Sequence, residues 1–265
     1  MTAGTAGEDS VSVVIPTKNG GPLLMATLDS VFAQTRPPLE IIVVDDGSTD
    51  DTVAQLEPLA ASGRVRLIRQ PTAGTAHARN TGVGAATGTL IALLDHDDLW
   101  PPETLAGQVE ALARRPEAVL AYGDMESFGM ERPYRWPGPT GPAGDVLDAF
   151  RRKNWIRSPG QTVIRAAAIR AVGGFDAALA GADDWDLYLK LAERGPFAYT
   201  GNLALRYRVH ASNQSKQAWR LFRQACRVQT RHAGRWPRPG QRLQWLACRA
   251  TLVHMLVRDL LARRR

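Results

Sequence analysis

Apolar and polar residues follow a block pattern over the first 115 residues of the chain. Continuous runs rich in Val, Ile and Leu, typical of β-strands, alternate with segments whose apolar residues recur at helical spacing. Four strand-and-helix pairs are predicted: VSVVIP (11–16) before a helix carrying Leu24, Leu28, Val31 and Phe32, EIIVVDD (40–46) before TDDTVAQLEPLA, RVRLI (64–68) before TAHARNTGVGAA, and TLIALLD (89–95) before PPETLAGQVEALARR. Because the strands are apolar throughout, we expect a mostly parallel sheet with helices on both faces. Pro101 and Pro102 are suited to the first turn of the fourth helix.

The pattern changes after residue 122. Residues 123–160 contain many Gly and Pro residues and isolated aromatics, which predicts a long irregular excursion of the kind that often covers an active site. A second structured block follows, with a strand in QTVIR, helices in AAAIRAVGG and DDWDLYLKLAERG, and two short strands around PFAYT and LALRYRVH. From about residue 213 we expect two basic amphipathic helices separated by RWPRPG.

The charge of the chain is distributed unevenly. With 265 residues and 44% hydrophobic content, the chain is long enough for one large domain. Residues 206–265 hold 15 of the 33 Lys and Arg residues but a single acid, Asp259, so this tail carries about +14, and residues 1–205 carry about −7. An acidic body with a basic tail suggests chemistry in the body and attachment or assembly through the tail.

The cysteines and the N-terminus indicate the compartment. Cys226 and Cys248 are too few and too far apart for a disulfide framework or a zinc site, which fits a reducing environment. The first ten residues lack a cationic region followed by an apolar run, and the chain has no apolar stretch of roughly 18 to 20 residues. We therefore expect a cytoplasmic protein whose membrane contact, if any, is peripheral.

Polar side chains follow three of the predicted strands, in Pro16-Thr17-Lys18-Asn19, Asp45-Asp46-Gly47-Ser48 and Asp95-His96-Asp97-Asp98. Ligands of parallel α/β sheets bind beyond the carboxyl ends of the strands, so these segments are expected to line one cleft. Carboxylates this close together repel one another unless a cation lies among them. Mg²⁺ or Mn²⁺, shared with the phosphates of a nucleoside diphosphate, would supply that cation. Alternatively, Asp98 only caps the following helix.

Two other functional classes fit the sequence less well. A dinucleotide-dependent oxidoreductase requires Gly-x-Gly-x-x-Gly directly after the first strand, whereas GVGAATG has another spacing and lies late in a predicted helix. The basic tail with Trp219, Trp236 and Trp245 raises the question of nucleic-acid binding. No aromatic-rich binding sheet accompanies that tail, so no nucleic-acid partner is expected.

The order of the motifs resembles the family 2 inverting glycosyltransferases with the GT-A nucleotide-sugar fold. The resemblance covers about residues 11–210, through VSVVIPTKNG, EIIVVDDGSTDDT, ARNTG, LIALLDHDD, GGFD and ADDWDLYLKLAERG. It implies a Rossmann-like, mostly parallel sheet flanked by helices, followed by a basic helical tail. The implied division is a disordered N-terminus (1–10), a transferase domain (11–212) with a nucleotide-binding half (11–122) and an acceptor and catalytic half (123–212), and the helical tail (213–265).

The resemblance also implies roles for individual residues at the nucleotide and metal sites. The expected nucleotide-binding residues are Pro16, Thr17, Lys18, Asn19, Asp45, Asp46, Ser48, Arg79, Asp95 and His96. Lys18 replaces an aromatic residue that often stacks on the base in this family. The DDGS segment is alternatively only a turn, and Arg79 alternatively pairs with Asp45 or Asp46. The expected metal ligands are Asp97, Asp95 and His210, with Asp97 the direct ligand, while His96 faces the opposite side of the strand.

The catalytic base is expected in ADDWDLYLKLAERG. Inverting transfer requires a base that takes the proton of the attacking acceptor hydroxyl. The resemblance assigns this role to Asp184, with Asp183 in place of a glutamate of the family's Glu-Asp pair. The alternative is that these acids only stabilise the N-terminus of a helix. His210 alternatively has a structural role or holds the diphosphate.

The implied activity is a metal-dependent transfer, with Mn²⁺ or Mg²⁺, from a nucleotide-diphosphate sugar to a hydroxyl of a saccharide or lipid-linked saccharide. UDP is the expected nucleotide. The competing hypothesis is a catalytically inactive nucleotide-sugar-binding or accessory protein of the same fold. The tail is expected to contact an anionic membrane surface through an interfacial helix in residues 241–265, or to pack on the body or on a second subunit.

Overall fold

The central feature of the protein, seen in a computed structural model that describes residues 9–131, 133–138, 141–210 and 218–233, is a mixed β-sheet. The strands of the described residues are Val11–Thr17 (β1), Glu40–Asp45 (β2), Arg66–Arg69 (β3), Leu90–Leu93 (β4), Leu120–Phe128 (β5), Arg135–Trp136 (β6), Thr162–Arg165 (β7) and Phe197–Arg208 (β8). Their order is β3-β2-β1-β4-β7-β5-β6, with β8 paired to β5. Strands β1 to β4 are mutually parallel, as predicted, whereas β7 lies antiparallel between β4 and β5.

Helices cover both faces of this sheet. They are Gly21–Phe32 (α1), Thr52–Ala61 (α2), Thr75–Ala85 (α3), Thr104–Arg114 (α4), Leu147–Arg152 (α5), Ala166–Ala171 (α6), Asp183–Ala192 (α7) and Ala218–Ala233 (α8). Alternate residues of one strand enter two separate apolar cores: Val13 packs with α1, α2 and α4, and Val14 packs with α3, α6 and α7. Burial on both sides explains why β1 and β4 read as nearly continuous apolar runs.

Three sequence predictions about individual elements of the fold were wrong. Strand β5 continues to Phe128, into the segment expected to be irregular, because its polar residues pair with β6 and β8 at this end of the sheet. The two short strands expected after residue 195 form one strand, β8, whose irregular register lies opposite Gly123. Helix α4 begins at Thr104, so Pro101 and Pro102 precede its first turn.

Helix α8 is the described part of the basic tail. Its Val228 and His232 are buried, and the helix packs beside α7. No helix within the described residues combines the length and apolar character that a membrane crossing requires. The interfacial helix expected in residues 241–265 lies outside the described residues, as do residues 1–8 of the N-terminus (1–10) that was expected to be disordered.

Candidate active site

The loops after β1 and β2 form one continuous polar surface. Asn19, at the positive φ of 53°, donates its backbone N–H to Ser48 Oγ (2.9 Å) and accepts from the Thr49 N–H through Oδ1 (2.8 Å). Lys18 Nζ donates to Thr72 Oγ1 at 3.0 Å, which connects this surface to the loop after β3. Thr17 is buried at the start of the first loop. The strand ends that were expected to converge therefore lie together.

Asp46 organises the loop between β3 and α3. Its Oδ1 accepts from the Ala73 N–H (2.8 Å) and from Gln70 Nε2 (2.7 Å), and its Oδ2 accepts from the Gly74 N–H (2.8 Å). Only 4% of the residue is exposed, so in this state its carboxylate is directed to the loop. Asp45 accepts from the Ser48 N–H at 3.2 Å, as in the turn considered for DDGS. Nucleotide contact by these residues stays a prediction.

Arg79 is a buried cation between the two halves of the chain. Helix α3 approaches β1 closely at Gly82, where a Cβ atom would lie only 2.2 Å from Val14 Cγ1. This close approach positions Arg79, which lies on the same helix. Its guanidinium donates to Asp95 Oδ1 (2.7 Å) and to Asp183 Oδ2 (3.3 Å). The suggested pairing with the DDGS aspartates was wrong.

The charge of Arg79 is maintained by these two contacts. Burial alone would lower the pKa of Arg79, but the carboxylates of Asp95 and Asp183 raise that pKa above its ordinary value. Two carboxylates thus compensate one buried guanidinium, which stays protonated at any working pH.

The segment after β4 carries two of the three residues expected to hold a metal. His210 Nε2 lies 2.8 Å from Asp97 Oδ2. His96 faces away, with its Nδ1 3.4 Å from the Pro16 carbonyl oxygen, while Asp95 contacts Arg79. The structure thus brings Asp97 and His210 together, whereas the Asp95 carboxylate is directed to the Arg79 guanidinium.

This donor set fits a hard divalent ion that is shared with a substrate. Within the described residues, no group of three His, Cys, Asp or Glu side chains is arranged to hold a metal. Mg²⁺ and Mn²⁺ sites often have one or two protein ligands, with phosphate and water oxygens completing the shell. Asp97 and His210 match that requirement, and a closed all-protein site is not needed.

Asp98 has a role that the sequence did not indicate. The side chain is fully buried, and its Oδ1 accepts from the Arg208 N–H at 2.9 Å. Arg208 Nε also donates to the Asp97 carbonyl oxygen at 2.9 Å. Burial, followed by the nearby charges of Asp97 and Asp95, raises the pKa of Asp98 well above its ordinary value. The suggestion that Asp98 caps α4 was wrong: it fixes the segment after β4 to the end of β8.

The two acids expected to act in catalysis lie in the first turn of α7. Asp183 is buried, where it accepts from the Gly181 N–H (2.9 Å) and from Arg79. Asp184 is partly buried; its Oδ1 accepts from the Trp185 N–H at 2.7 Å, and its Oδ2 lies 3.5 Å from Asn154 Nδ2. Ala182, which precedes the helix, makes no side-chain cap.

The pKa of Asp184 is raised to about 7, chiefly by burial and next by the charge of Asp183. Hydrogen bonding by the Trp185 N–H and the charge of Arg79 oppose this rise. A carboxyl group with such a pKa exchanges its proton near neutral pH, as a general base must.

Two positioning residues beside these acids were missed by the sequence reasoning. Asn154 contacts Asp184 from a segment expected to be irregular, and its only sequence signal was the nearby KNWIRSPG run of polar and aromatic residues. His232 Nε2 lies 2.9 Å from Oδ1 of the fully buried Asp186, two residues after Asp184. The basic tail thereby contacts the helix that carries the two acids expected to act in catalysis.

Similarity to known proteins agrees with this arrangement. The family model described as "Glycosyl transferase family 2" matches residues 12–173. Over 211 residues the chain is 29% identical to a chondroitin synthase of Escherichia coli, covering 77% of this chain and 30% of the relative. It is 26% identical over 212 residues to an uncharacterized glycosyltransferase of Rickettsia felis, covering 78% and 35%. The chain thus spans about a third of the length of these curated relatives.

Solved structures show the same fold. The mannosyltransferase PcManGT from Pyrobaculum calidifontis, in complex with GDP-Man and Mn²⁺, aligns with a TM-score of 0.69 and 24% identity over 95% of this chain and 74% of that one. S. aureus TarS 1–349 in complex with UDP-GlcNAc aligns with a TM-score of 0.67 and 16% identity over 93% and 81%. The chain belongs to glycosyl transferase family 2 and has the GT-A fold.

Proposed function

We propose that the protein is a metal-dependent inverting glycosyltransferase that moves a sugar from a nucleotide-diphosphate sugar, with UDP as the nucleotide, to a hydroxyl of a saccharide or lipid-linked saccharide. The observation that carries this proposal is the contact of Arg79 with both Asp95 and Asp183. One guanidinium connects the segment expected to bind the diphosphate with the acids expected to act on the acceptor. Donor and acceptor chemistry would therefore take place side by side.

The nucleotide would bind over the loops after β1, β2 and β3. Lys18 and the Asn19–Ser48 contact lie at the exposed surface of these loops, and Asp46 fixes the loop that follows β3. PcManGT and TarS are described with GDP-Man and with UDP-GlcNAc, respectively, which supports a nucleotide sugar as the donor class. UDP remains the nucleotide that we propose from the sequence.

Asp97 and His210 would hold Mn²⁺ or Mg²⁺ together with the diphosphate oxygens. When bound, the ion supplies positive charge that favours departure of the diphosphate. Asp98 and Arg208 keep the segment carrying Asp97 against β8, so the two proposed ligands stay together. By holding these two side chains in position, the protein would assist departure of the diphosphate.

Asp184 would act as the general base. As the acceptor oxygen attacks the anomeric carbon, the bond between that carbon and the diphosphate oxygen breaks, and the hydroxyl proton passes to the Asp184 carboxylate. A pKa of about 7 makes this carboxylate basic enough for the transfer while leaving about half of it ionised at neutral pH. Asn154 and the Asp183–Arg79 pair would orient it.

The alternative function is a nucleotide-sugar-binding protein without catalysis. Such a protein has no need of a basic carboxylate, yet Asp184, in the first turn of α7, has a pKa raised to about 7. The observed acids therefore favour an enzyme.

The proposal is tested by screening nucleotide sugars in the presence of Mn²⁺, with thermal shift reporting binding and donor hydrolysis or transfer reporting turnover. We expect a UDP-sugar to raise the melting temperature and to be turned over, with inversion at the anomeric carbon visible by proton NMR. Donor binding without turnover would favour the non-catalytic alternative. Unchanged rates in excess EDTA would exclude metal dependence.

A further inference from the structure

A cluster of two tryptophans and two cations lies beside Asp184. The indole rings of Trp136 and Trp155 stack with 6.1 Å between their centroids and 26° between their planes. Lys153 Nζ lies 3.9 Å from the Trp136 centroid and 4.5 Å from the Trp155 centroid. The guanidinium carbon of Arg157 lies 4.3 Å from the Trp136 centroid. We call these four residues the Trp–cation cluster.

The backbone holds the two indole rings in place. Trp136 Nε1 donates to the Trp155 carbonyl oxygen at 3.1 Å, and Trp155 Nε1 donates to the Ala149 carbonyl oxygen at 3.2 Å. Both tryptophans remain partly exposed, although each packs against one of the two apolar cores. The two rings thus form a surface that backbone contacts hold and that is partly open to solvent.

The Trp–cation cluster is connected to the proposed base through a neighbouring residue, Asn154. Asn154, which lies between Lys153 and Trp155 in the sequence, has its Nδ2 3.5 Å from Asp184 Oδ2. Helix α5 ends one residue before Lys153, so residues 153–156 follow it directly, and Asn154 brings this segment to the N-terminus of α7. A saccharide whose hydroxyl reaches Asp184 would extend over these residues.

Two like charges lie within 4.3 Å of the centroid of one indole ring, that of Trp136. Burial lowers the pKa of Lys153, and the positive charge of Arg157 lowers it further. Within the described residues, no carboxylate forms an ion pair with Lys153. Cation–π contact with the indoles compensates the ammonium charge only in part, so an anion placed here would be stabilised.

Amphipathic aromatic surfaces suit saccharides, since a pyranose presents an apolar C–H face and polar edges. We propose, as an inference that rests on the proposed function, that the Trp–cation cluster is an acceptor subsite for an anionic saccharide. The sugar ring would contact the exposed parts of Trp136 and Trp155, and its carboxylate or phosphate would pair with Lys153. The acceptor hydroxyl would then lie at Asp184.

The test compares three probes: an oligosaccharide ending in a hexuronate, its carboxyl-reduced neutral counterpart, and the same oligosaccharide carrying a phosphate. Their affinities for the full chain, with UDP and Mn²⁺ present, are measured by isothermal titration calorimetry at low and high salt. The variants are Lys153→Gln and Lys153→Arg. Arg152→Gln serves as the matched control, because it removes an exposed cation from the adjacent position outside the cluster.

We expect at least one anionic probe to bind the unmodified chain more tightly than the neutral one, and more weakly as salt increases. Lys153→Gln should weaken the affinity for that anionic probe on the order of tenfold and change the affinity for the neutral probe by less than about twofold. Lys153→Arg should restore the preference, and Arg152→Gln should retain it. The stronger of the two anionic probes distinguishes carboxylate from phosphate recognition.

Three results would overturn the subsite: equal affinity for anionic and neutral probes, no binding of any probe, or equal losses in Lys153→Gln and Arg152→Gln. Any of these three results leaves the proposed transferase activity intact, provided that the unmodified chain turns over a donor in the nucleotide-sugar screen. Conversely, Lys153-dependent anionic binding without turnover of any donor would refute the proposed activity and retain the anionic-saccharide site.

Discussion

Replacement of Asp184 by Asn tests the proposed base directly. The amide keeps the shape of the side chain but accepts no proton, so turnover should fall by about 10² to 10⁴-fold, the range expected for loss of a general base. Donor affinity should change little, because Asp184 contacts Asn154 and the Trp185 N–H rather than the nucleotide loops. Asp29→Asn, which removes an exposed acid of α1, is the matched control.

The raised pKa of Asp184 fixes the direction of two pH effects. Because the base must be ionised, the rate at saturating donor should rise about tenfold per pH unit below pH 6 and level off above pH 7. A carboxyl pKa that is higher in the folded state means that the folded chain binds this proton more tightly than the unfolded chain. The free energy of unfolding should therefore decrease as pH rises from about 4 to about 7.

The size of the stability effect follows from the same value. A rise from 3.8 to about 7, at 1.36 kcal/mol per pKa unit, corresponds to roughly 4 kcal/mol. Asp184→Asn removes this cost, so the variant should be more stable than the unmodified chain at pH 8 and similar to it at pH 4. Urea unfolding at the two pH values measures the difference. Near-normal turnover, or a rate independent of pH between 5 and 8, would refute the assignment and make Asp183 the first alternative.

Three further substitutions address other parts of the site. Asp97→Ala should nearly abolish transfer and Mn²⁺-dependent UDP binding, yet keep the unmodified melting temperature; Mn²⁺-independent activity in this variant would contradict the proposed ligand. Asp46→Asn should lower the free energy of unfolding in urea by about 1–3 kcal/mol and weaken UDP binding, because only one of the two amide atoms can accept a hydrogen bond from the loop. Unchanged stability would show that the loop does not depend on the carboxylate. His232→Ala should destabilise the chain by a similar amount by removing a partner of the buried Asp186, whereas the exposed control Arg223→Ala should not; equal effects would indicate a helix-wide cause.

The sheet and the convergence of its loops were predictable because their causes are local. Apolar runs such as VSVVIP identify the parallel strands, and parallel strands deliver their carboxyl ends to one edge. That rule brought Asn19 and Ser48 together, although they are 29 residues apart. The family motifs added assignments for Asp97 and His210 that no local pattern carries, and the structure brings these two side chains into contact.

The remaining contacts depend on tertiary packing and had no local signal. Arg79 and Asp183 are 104 residues apart in the sequence. They become partners only because α3 packs against β1 and α7 packs in the same apolar core as α3. Strand β5 continues through the polar DMESF segment because β8 pairs with it, a reason that its own sequence does not contain. Likewise, the basic pattern of α8 predicted an amphipathic helix but did not predict that His232 would contact Asp186.

The charge balance around Arg79 supports the proposal that the base is Asp184 and not its neighbour. Arg79 contacts Asp95 and Asp183 directly, so its hydrogen bonds are made to those two carboxylates. Asp184 is the third acid, and the charge of Arg79 acts on it without a contact. Burial and the adjacent Asp183 therefore dominate and raise its pKa to about 7. The Asp183 carboxylate, which stands where the family resemblance predicts a glutamate, lies 3.3 Å from the Arg79 guanidinium, so Arg79 pairs with Asp183 and leaves the proposed base Asp184 available to accept a proton.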